Sequence, residues 1–379
     1  MITLRPGSQV LKLLAILSFL GEIPMSALRL IGSENTLRPL VQKLTQMQEF
    51  RFPDRDERIT CKMLIVNGSG KKKTIRLFKA ALPILATLMP DGYQYYMKAF
   101  NQHHFSGEDQ QVERHHRIAE AALVCANAGI QTCPYQVRTL QDETIDRILP
   151  DEPTLYLSRE LKNIGGQGEN KTMFSRIVGA VFYQTGCYAV YNCRNAKMKW
   201  NGTGESKVQE YLEMLARWNT GQFEANSCIL VGHSYKAALR TLDASKETRR
   251  LDLRFDGIYS HIHFIPMDSN GSRLLNILTF PDWNEHLLDM LFDPSDRSYG
   301  KCPFEYDAIV NDSYYLSHLD GDIARLIRLR DALPTVDKPI TILCFPFQVA
   351  MLKEYFGSQV RLKTVELDLI EAGFSQEGS

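Results

Sequence analysis

The order of helical and β-like segments over the first hundred residues constrains the fold more than any other feature. Residues 9–20 are apolar nearly all round, which predicts a helix at the centre of a small bundle. A short second helix is predicted from Pro24 to Gly32, because proline favours the first turn of a helix and glycine the position just after its end. A third helix follows, with Ser33 or Asn35 as its N-cap.

The third predicted helix has two chemically different faces. Apolar residues at helical spacing predict a buried stripe, which consists of Leu37, Leu40, Val41, Leu44 and Met47. The opposite face carries hydrogen-bond donors that are suited to phosphates or base edges, namely Arg38, Gln42, Lys43 and Gln46. Pro39 is compatible with this helix only if it lies in the first turn.

A basic β-hairpin is predicted after the third helix. Residues 60–66 and 71–77 are β-like and flank the turn sequence 67–70, Asn-Gly-Ser-Gly. The cations near its tip, which we expect to bind phosphates, are Lys71, Lys72, Lys73 and Arg76. Helix, helix, turn, helix and basic hairpin is the order of a winged helix-turn-helix, whose third helix enters the major groove of duplex DNA. The alternative is a small helical bundle with a solvated basic loop.

The distribution of charge supports the DNA-binding alternative. The chain contains 44 Lys+Arg and 44 Asp+Glu, and this balance alone would exclude a polycation that coats nucleic acid or an anionic membrane. The charges are segregated, however. Residues 1–100 hold 15 basic and 7 acidic residues, a net charge of +8, and the remaining residues carry −8.

The first third of the chain resembles a known family. The segments from Val10 to Leu85, followed by the helix-forming sequence His115-His116-Arg117-Ile118-Ala119-Glu120, resemble the replication-relaxation family. These are winged-helix proteins encoded on plasmids and integrative conjugative elements of Gram-positive bacteria. The resemblance implies a DNA-binding accessory role in the replication, conjugation or transcriptional control of a mobile genetic element. The long acidic C-terminal part departs from the family pattern.

An α/β fold is predicted for the chain overall, with three parts. Residues 1–100 are the winged helix-turn-helix, 101–150 a helical connector, and 151–379 an acidic α/β domain with a mixed or parallel sheet. The strands predicted in the last part are 155–161, 187–192, 228–232, 258–266 and 340–345. The helices predicted between them are 174–182, 205–218, 235–242, 274–278 and 348–356.

A metal-dependent nuclease is the alternative function. The sequence Pro150-Asp151 followed by Glu160-Leu161-Lys162 has the residue order of a nuclease core in which two carboxylates hold a divalent ion. Asp151 and Glu160 would hold Mg²⁺, and Lys162 would orient the attacking water. That core places its two halves on adjacent strands, whereas here both carboxylates are predicted along one strand. Without nuclease activity we expect no cofactor.

Three further motifs are incomplete. The sequence 165–172 differs from a phosphate-binding loop mainly by Asn170, and a flexible glycine loop is the alternative. The sequence 231–236 imitates a nucleophile elbow, but Lys236 replaces its final glycine, so that Ser234 is more simply a helix N-cap. His261 and His263 alternate on a predicted strand, where Asp256 or Asp268 would complete a metal site.

The composition also bears on location and partners. The 8 cysteines include no C-x-x-C pair, which predicts reduced thiols in a cytoplasmic protein. The apolar stretch 10–20 is interrupted by Lys12 and is shorter than the ~20 residues that a membrane span needs. The predicted partner is double-stranded DNA, and the candidate protein partners are replication or conjugation proteins and a second copy of the chain as a homodimer. No membrane association is expected.

Overall fold

The computed structural model describes residues 1–53, 55, 57–137, 152–162, 172, 175–196, 202–220, 225–247, 257–300 and 304–376. The chain is an α/β protein with mixed sheets, as predicted. It divides into two compact units. Unit one comprises residues 1–126 together with 132–137 among the described ones, and unit two comprises 127–131 and the described residues from 152 onward.

Unit one begins with helices and short strands and ends with a long helix. Its elements are β1 (Ile2–Thr3), α1 (Gln9–Leu20), β2 (Glu22–Pro24), α2 (Leu28–Ile31), α3 (Glu34–Leu44), β3 (Gln48–Arg51), β4 (Arg58–Cys61), β5 (Leu64–Asn67), β6 (Thr74–Leu77), α4 (Leu82–Leu88), α5 (Pro90–Ala99) and α6 (Asp109–Asn127).

The first three helices follow the predicted order. Helix α1 is central as expected, with 8 of its 12 residues buried, and Ser8 caps it by accepting from the Leu11 N–H. The predicted second helix is shorter than expected. Pro24 pairs with Thr74 in a sheet, and a single 3₁₀ turn at Met25–Ala27 precedes α2.

Helix α3 begins after Ser33 as predicted, but two expectations about it were wrong. Pro39 is the sixth helical residue, in the second turn, where its ring nitrogen cannot donate to the Asn35 carbonyl. Met47 is 58% exposed rather than buried, because the helix ends at Leu44.

Two three-stranded sheets complete the first part of unit one. In one sheet the order is β2-β6-β5 and all pairs are antiparallel, which confirms the predicted hairpin around residues 67–74. The other has the order β1-β3-β4. The predicted strand 60–66 is divided between β4 and β5. Met63 lies between them, donating to the Leu44 carbonyl and accepting from the Phe78 N–H.

Unit two alternates strands and helices. Its elements are β7 (Thr154–Leu157), α7 (Ser158–Leu161), β8 (Gly179–Tyr183), β9 (Gly186–Arg194), α8 (Gly202–Thr220), β10 (Ser227–Gly232), α9 (Tyr235–Glu247), β11 (His261–Pro266), α10 (Ser269–Leu278), α11 (Trp283–Leu291), β12 (Arg297–Gly300), β13 (Tyr306–Val310), β14 (Ser313–Ser317), α12 (Ile323–Ala332), β15 (Ile340–Cys344), α13 (Val349–Phe356), β16 (Arg361–Thr364) and α14 (Leu367–Gln376).

The same strand arrangement occurs twice in unit two. The two five-stranded sheets have the orders β7-β8-β9-β10-β11 and β12-β13-β14-β15-β16. In each, the first three strands form an antiparallel meander and the last three run parallel. Helices α8 and α9 connect the parallel strands of the first sheet, and α12 and α13 those of the second. Unit two is therefore built from two halves of equal topology.

Several predicted elements of unit two differ from the structure. The predicted strand 155–161 ends at Leu157 and turns into α7. The predicted helix 174–182 is wrong, since Gly179–Tyr183 form the buried strand β8 between β7 and β9. The predicted strand 258–266 begins only at His261. The other predicted strands and helices of this region are confirmed to within a few residues.

Candidate nucleic-acid interface

The polar face of α3 is open to solvent. Arg38, Gln42 and Lys43 are all exposed on it, and Gln46 is exposed in the turn that follows. Leu37, Val41 and Leu44 bury the opposite face. Three of the predicted donors are thus presented on one side of α3, whose other side is fixed by the core, and the fourth, Gln46, follows the helix.

One of these donors already has an ionic partner on its own helix. The Arg38 Nε donates to Glu34 Oε1 at 2.7 Å, four residues earlier. The two side chains are 57% and 38% exposed, so solvent screens the pair and its contribution to stability is small. An incoming phosphate can therefore replace the Glu34 carboxylate without a large penalty.

The predicted lysine cluster lies at the tip of the hairpin formed by β5, β6 and residues 68–73, which we call the lysine hairpin. Lys71, Lys72 and Lys73 are all exposed. Lys72 Nζ lies 2.6 Å from Asp109 Oδ2 in an ion pair that is itself exposed. Among the described residues, Lys71 and Lys73 make no ion pair.

The lysine hairpin is anchored to α6 close to its tip. Thr74 is buried, and its hydroxyl lies 2.8 Å from His116 Nε2. The neighbouring His115 places Nδ1 2.7 Å from the carboxylate of Glu22, a residue of β2 that is only 2% exposed. The adjacent pair of histidines on α6 was the one sequence signal for these contacts. Because they join residues far apart in sequence, no local pattern predicts them.

Arg76 differs from the three lysines. Its side chain is half-buried, and its guanidinium carbon lies 5.1 Å from the centroid of the Phe105 ring. With the Asn67 amide oxygen turned towards it, the Arg76 Nε donates at 2.8 Å. The residue predicted to hold a phosphate is therefore held itself, by an aromatic ring and an amide.

A cleft of about 640 Å³ opens in unit one between the lysine hairpin and the start of α6. Three cations line it, namely Lys71, Lys72 and Arg76. Three carboxylates also line it, those of Glu22, Asp109 and Glu113. Each carboxylate is paired with a basic side chain: Glu22 with His115, Asp109 with Lys72, and Glu113 with Arg117 at 3.2 Å.

The residues of the nuclease alternative are not brought into one site by the part of the chain that is described. Asp151 lies outside the described residues. Glu160 belongs to the helical turn α7, and Lys162 is the residue after its end. Positions two apart on a helix do not face each other. In the described ranges no three His, Cys, Asp or Glu side chains are grouped so as to hold a metal ion.

The other sequence motifs differ in how far the structure agrees with their prediction. The glycine loop 165–172 lies outside the described residues apart from Thr172. Ser234 directly precedes α9, the position predicted for it. His261 and His263 lie near Asp322 and Asp320, whereas Asp268 caps α10 by accepting from the Gly271 N–H. Asp256 is outside the described residues.

The His261–Asp322 pair joins the two halves of unit two. Nδ1 of His261, on β11, lies 2.8 Å from Oδ2 of the fully buried Asp322, which precedes α12. The other carboxylate oxygen accepts from the backbone N–H groups of Ile262 and Ala324. Although burial lowers the pKa of His261, the hydrogen bond and charge of Asp322 raise it above its ordinary value.

The chain was compared with known protein families, curated proteins and solved structures. No protein-family model, curated protein or solved structure matches the chain. Within the described part, none of the helices combines the length and the apolar character that crossing a membrane requires.

Proposed function

We propose that this chain is a DNA-binding accessory protein of a mobile genetic element and that residues 1–100 bind duplex DNA as a winged helix. One observation carries the proposal. A single small unit presents the donor-bearing face of α3 and the lysine hairpin, and both are exposed. In winged-helix proteins these two elements contact the major groove and the backbone of the duplex.

The order of pairing in the first sheet supports this assignment. Strand β2 follows α1 and pairs with β6, the second strand of the lysine hairpin. The hairpin is therefore attached to the helical bundle through β2, while α3 is attached through its buried leucine and valine residues. Both candidate contact elements have a rigid support, which a solvated basic loop would lack.

The roles of the side chains follow from their chemistry. Arg38, Gln42, Lys43 and Gln46 contact base edges or phosphates in the groove, because they combine long reach with hydrogen-bond donors. Lys71, Lys72 and Lys73 bind phosphates. With about five cations in contact, log K should fall with log salt at a slope near −4.5, at about 0.9 per neutralised phosphate.

Unit two is assigned to assembly in this proposal. Residues 127–379 hold 27 basic and 33 acidic residues, a net charge of −6, which repels DNA and suits protein partners. Replication or conjugation proteins in the cytoplasm and a second copy of the chain are the candidate partners.

The proposal is tested by measuring duplex binding of the full chain by fluorescence anisotropy between 50 and 300 mM salt. The Lys71/Lys72/Lys73→Ala variant should bind more weakly, with a slope smaller by about 2.7. The matched control replaces three exposed lysines of unit two, Lys236/Lys353/Lys363→Ala, and changes the net charge equally. An unchanged slope in the first variant, or an equal loss in the control, contradicts the assignment of the lysine hairpin.

A further inference from the structure

A column of aromatic side chains in contact leads from the core of unit one to the cleft. The ring of the buried Tyr96 lies 5.0 Å from that of Phe100, and Phe100 stacks on Phe105 with ring centroids 5.4 Å apart. The guanidinium of Arg76 is placed over Phe105 and lines the cleft. The column thus ends at the cleft in a planar cation.

The planar end of the column suits a nucleobase. Arginine guanidinium groups and aromatic rings both stack on unpaired bases in proteins that bind single strands, and Arg76 and Phe105 both line the cleft. Asn67 and Phe105 restrain the Arg76 side chain, so little rotamer freedom is lost on binding. The volume of about 640 Å³ lies within the range of small-ligand sites, about 300–1,000 Å³.

The charges around the cleft distinguish a nucleotide within a strand from a free nucleotide. Each of the three lining carboxylates is paired with a basic side chain, and Lys71 is a lining lysine that makes no ion pair with a described residue. A free mononucleotide carries about two negative charges on its phosphate at pH 7, which one lysine does not neutralise. A phosphodiester carries only one charge, which Lys71 can meet.

We propose that the cleft accepts one unpaired base of a DNA strand, stacked on Arg76, while the lysine hairpin binds the adjoining phosphates. This inference rests on the proposed function and names the form of DNA that the same surface prefers. Extruding a base from a paired duplex costs a few kcal/mol, and this cost is absent where the base is already unpaired. DNA with a bulge, fork or flap should therefore bind more tightly than a continuous duplex.

The experiment compares the full chain on a continuous duplex and on the same duplex with one bulged 2-aminopurine. We expect the bulged DNA to bind about tenfold more tightly, since stacking of one base corresponds to about 5- to 150-fold. The fluorescence of 2-aminopurine should rise on binding, because the base leaves the neighbouring bases that quench it.

Three variants separate stacking from charge. Arg76→Lys keeps the charge and loses the plane, so the preference for the bulge and the rise in fluorescence should disappear. Gly107→Leu fills the cleft from a position where an added Cβ meets nothing within 4 Å, and it should have the same effect without disturbing the column. Lys79→Ala removes an exposed cation that does not line the cleft and should keep the preference for the bulge.

The outcomes distinguish this inference from the proposed function. If the wild type binds the duplex with the expected salt slope but shows no preference for the bulge, the base site is refuted and the proposed function stands. Retention of the preference in both Arg76→Lys and Gly107→Leu also refutes it. Competition by free dAMP below 1 mM would indicate a mononucleotide site and overturn the assignment to a strand. If the wild type binds neither DNA, both proposals fail.

Discussion

The buried ion pair between Asp307 and Arg325 should be one of the largest polar contributions to the stability of unit two. Arg325 Nη2 donates to Asp307 Oδ1 at 2.7 Å, and Asp307 Oδ2 accepts from the Ser317 N–H at 2.7 Å. The two charged residues are 6% and 9% exposed. Asp307 lies on β13, Ser317 on β14 and Arg325 on α12, so one carboxylate connects three elements of the second half.

Asp307→Ala removes both hydrogen bonds at once. Removing one partner of a buried pair costs about 3–5 kcal/mol, and an orphaned backbone N–H costs about 1–3 kcal/mol. Glu305 lies 3.6 Å from the Arg325 Nε and compensates part of the lost charge. We expect a loss of about 4 kcal/mol, which lowers the melting temperature by roughly 8–16 °C for a domain of this size.

The double variant Asp307→Leu/Arg325→Met tests whether the effect comes from the unpaired charge. Replacing both partners by apolar residues leaves no buried ion, so the double variant should be more stable than Asp307→Ala. Unfolding is followed by circular dichroism in urea. The control, Arg273→Ala, breaks a partly exposed pair with Glu371 and should cost less than about 1 kcal/mol. A cost below 1 kcal/mol for Asp307→Ala would refute the reasoning.

Three further outcomes can be measured by thermal or urea unfolding. Burial lowers the pKa of His318 to about 4, so the free energy of unfolding should fall by about 3 kcal/mol as the pH drops from 6.5 to about 4. In His318→Phe the free energy of unfolding should depend less on pH over this range. Burial lowers the pKa of His261, but Asp322 raises it above its ordinary value. The contribution of the protonated His261 to the free energy of unfolding is therefore complete below pH 6.5 and is lost as the pH rises through the raised pKa. His261→Ala should accordingly destabilise the protein more at pH 5.5 than at pH 9. Gly271→Ala places a Cβ 1.8 Å from the Pro266 carbonyl oxygen and should cost at least about 2 kcal/mol, whereas Gly107→Ala, which meets no atom within 4 Å, should be neutral.

The helices of unit one were predictable because their apolar residues recur at helical spacing. The buried stripe of α3 was correct at Leu37, Val41 and Leu44. The prediction that Met47 is buried was wrong, because the helical spacing of apolar residues continues past Leu44 although the helix ends there. The spacing carries no information about where the backbone turns. The exposed lysines were equally predictable, since three consecutive cations beside an Asn-Gly turn have no place in a core.

The topology of unit two could not be predicted in the same way. Strand β8 is buried on both faces, and such a strand has no alternation to distinguish it from a buried helix. Once Gly179–Tyr183 is assigned to a helix, the antiparallel meander of the first half is lost, and with it the equivalence of the two halves. Phe105 and Glu22 were missed as lining of the cleft for a related reason, because only the tertiary fold brings them to the hairpin.

The neutral total charge of the chain is no argument against DNA binding, for a reason that lies in the pairing of its charges. Several arginines of unit two are bound to carboxylates, among them Arg273, Arg297, Arg325, Arg328 and Arg330. In unit one, Lys71 and Lys73 are exposed and make no ion pair with a described residue. A phosphate in contact with these lysines lies well inside the Debye length of about 10 Å at 0.1 M salt, whereas charges farther away are screened. The contacts available at the hairpin therefore decide the affinity for DNA, and the acidic residues elsewhere chiefly affect its rate of approach at low salt.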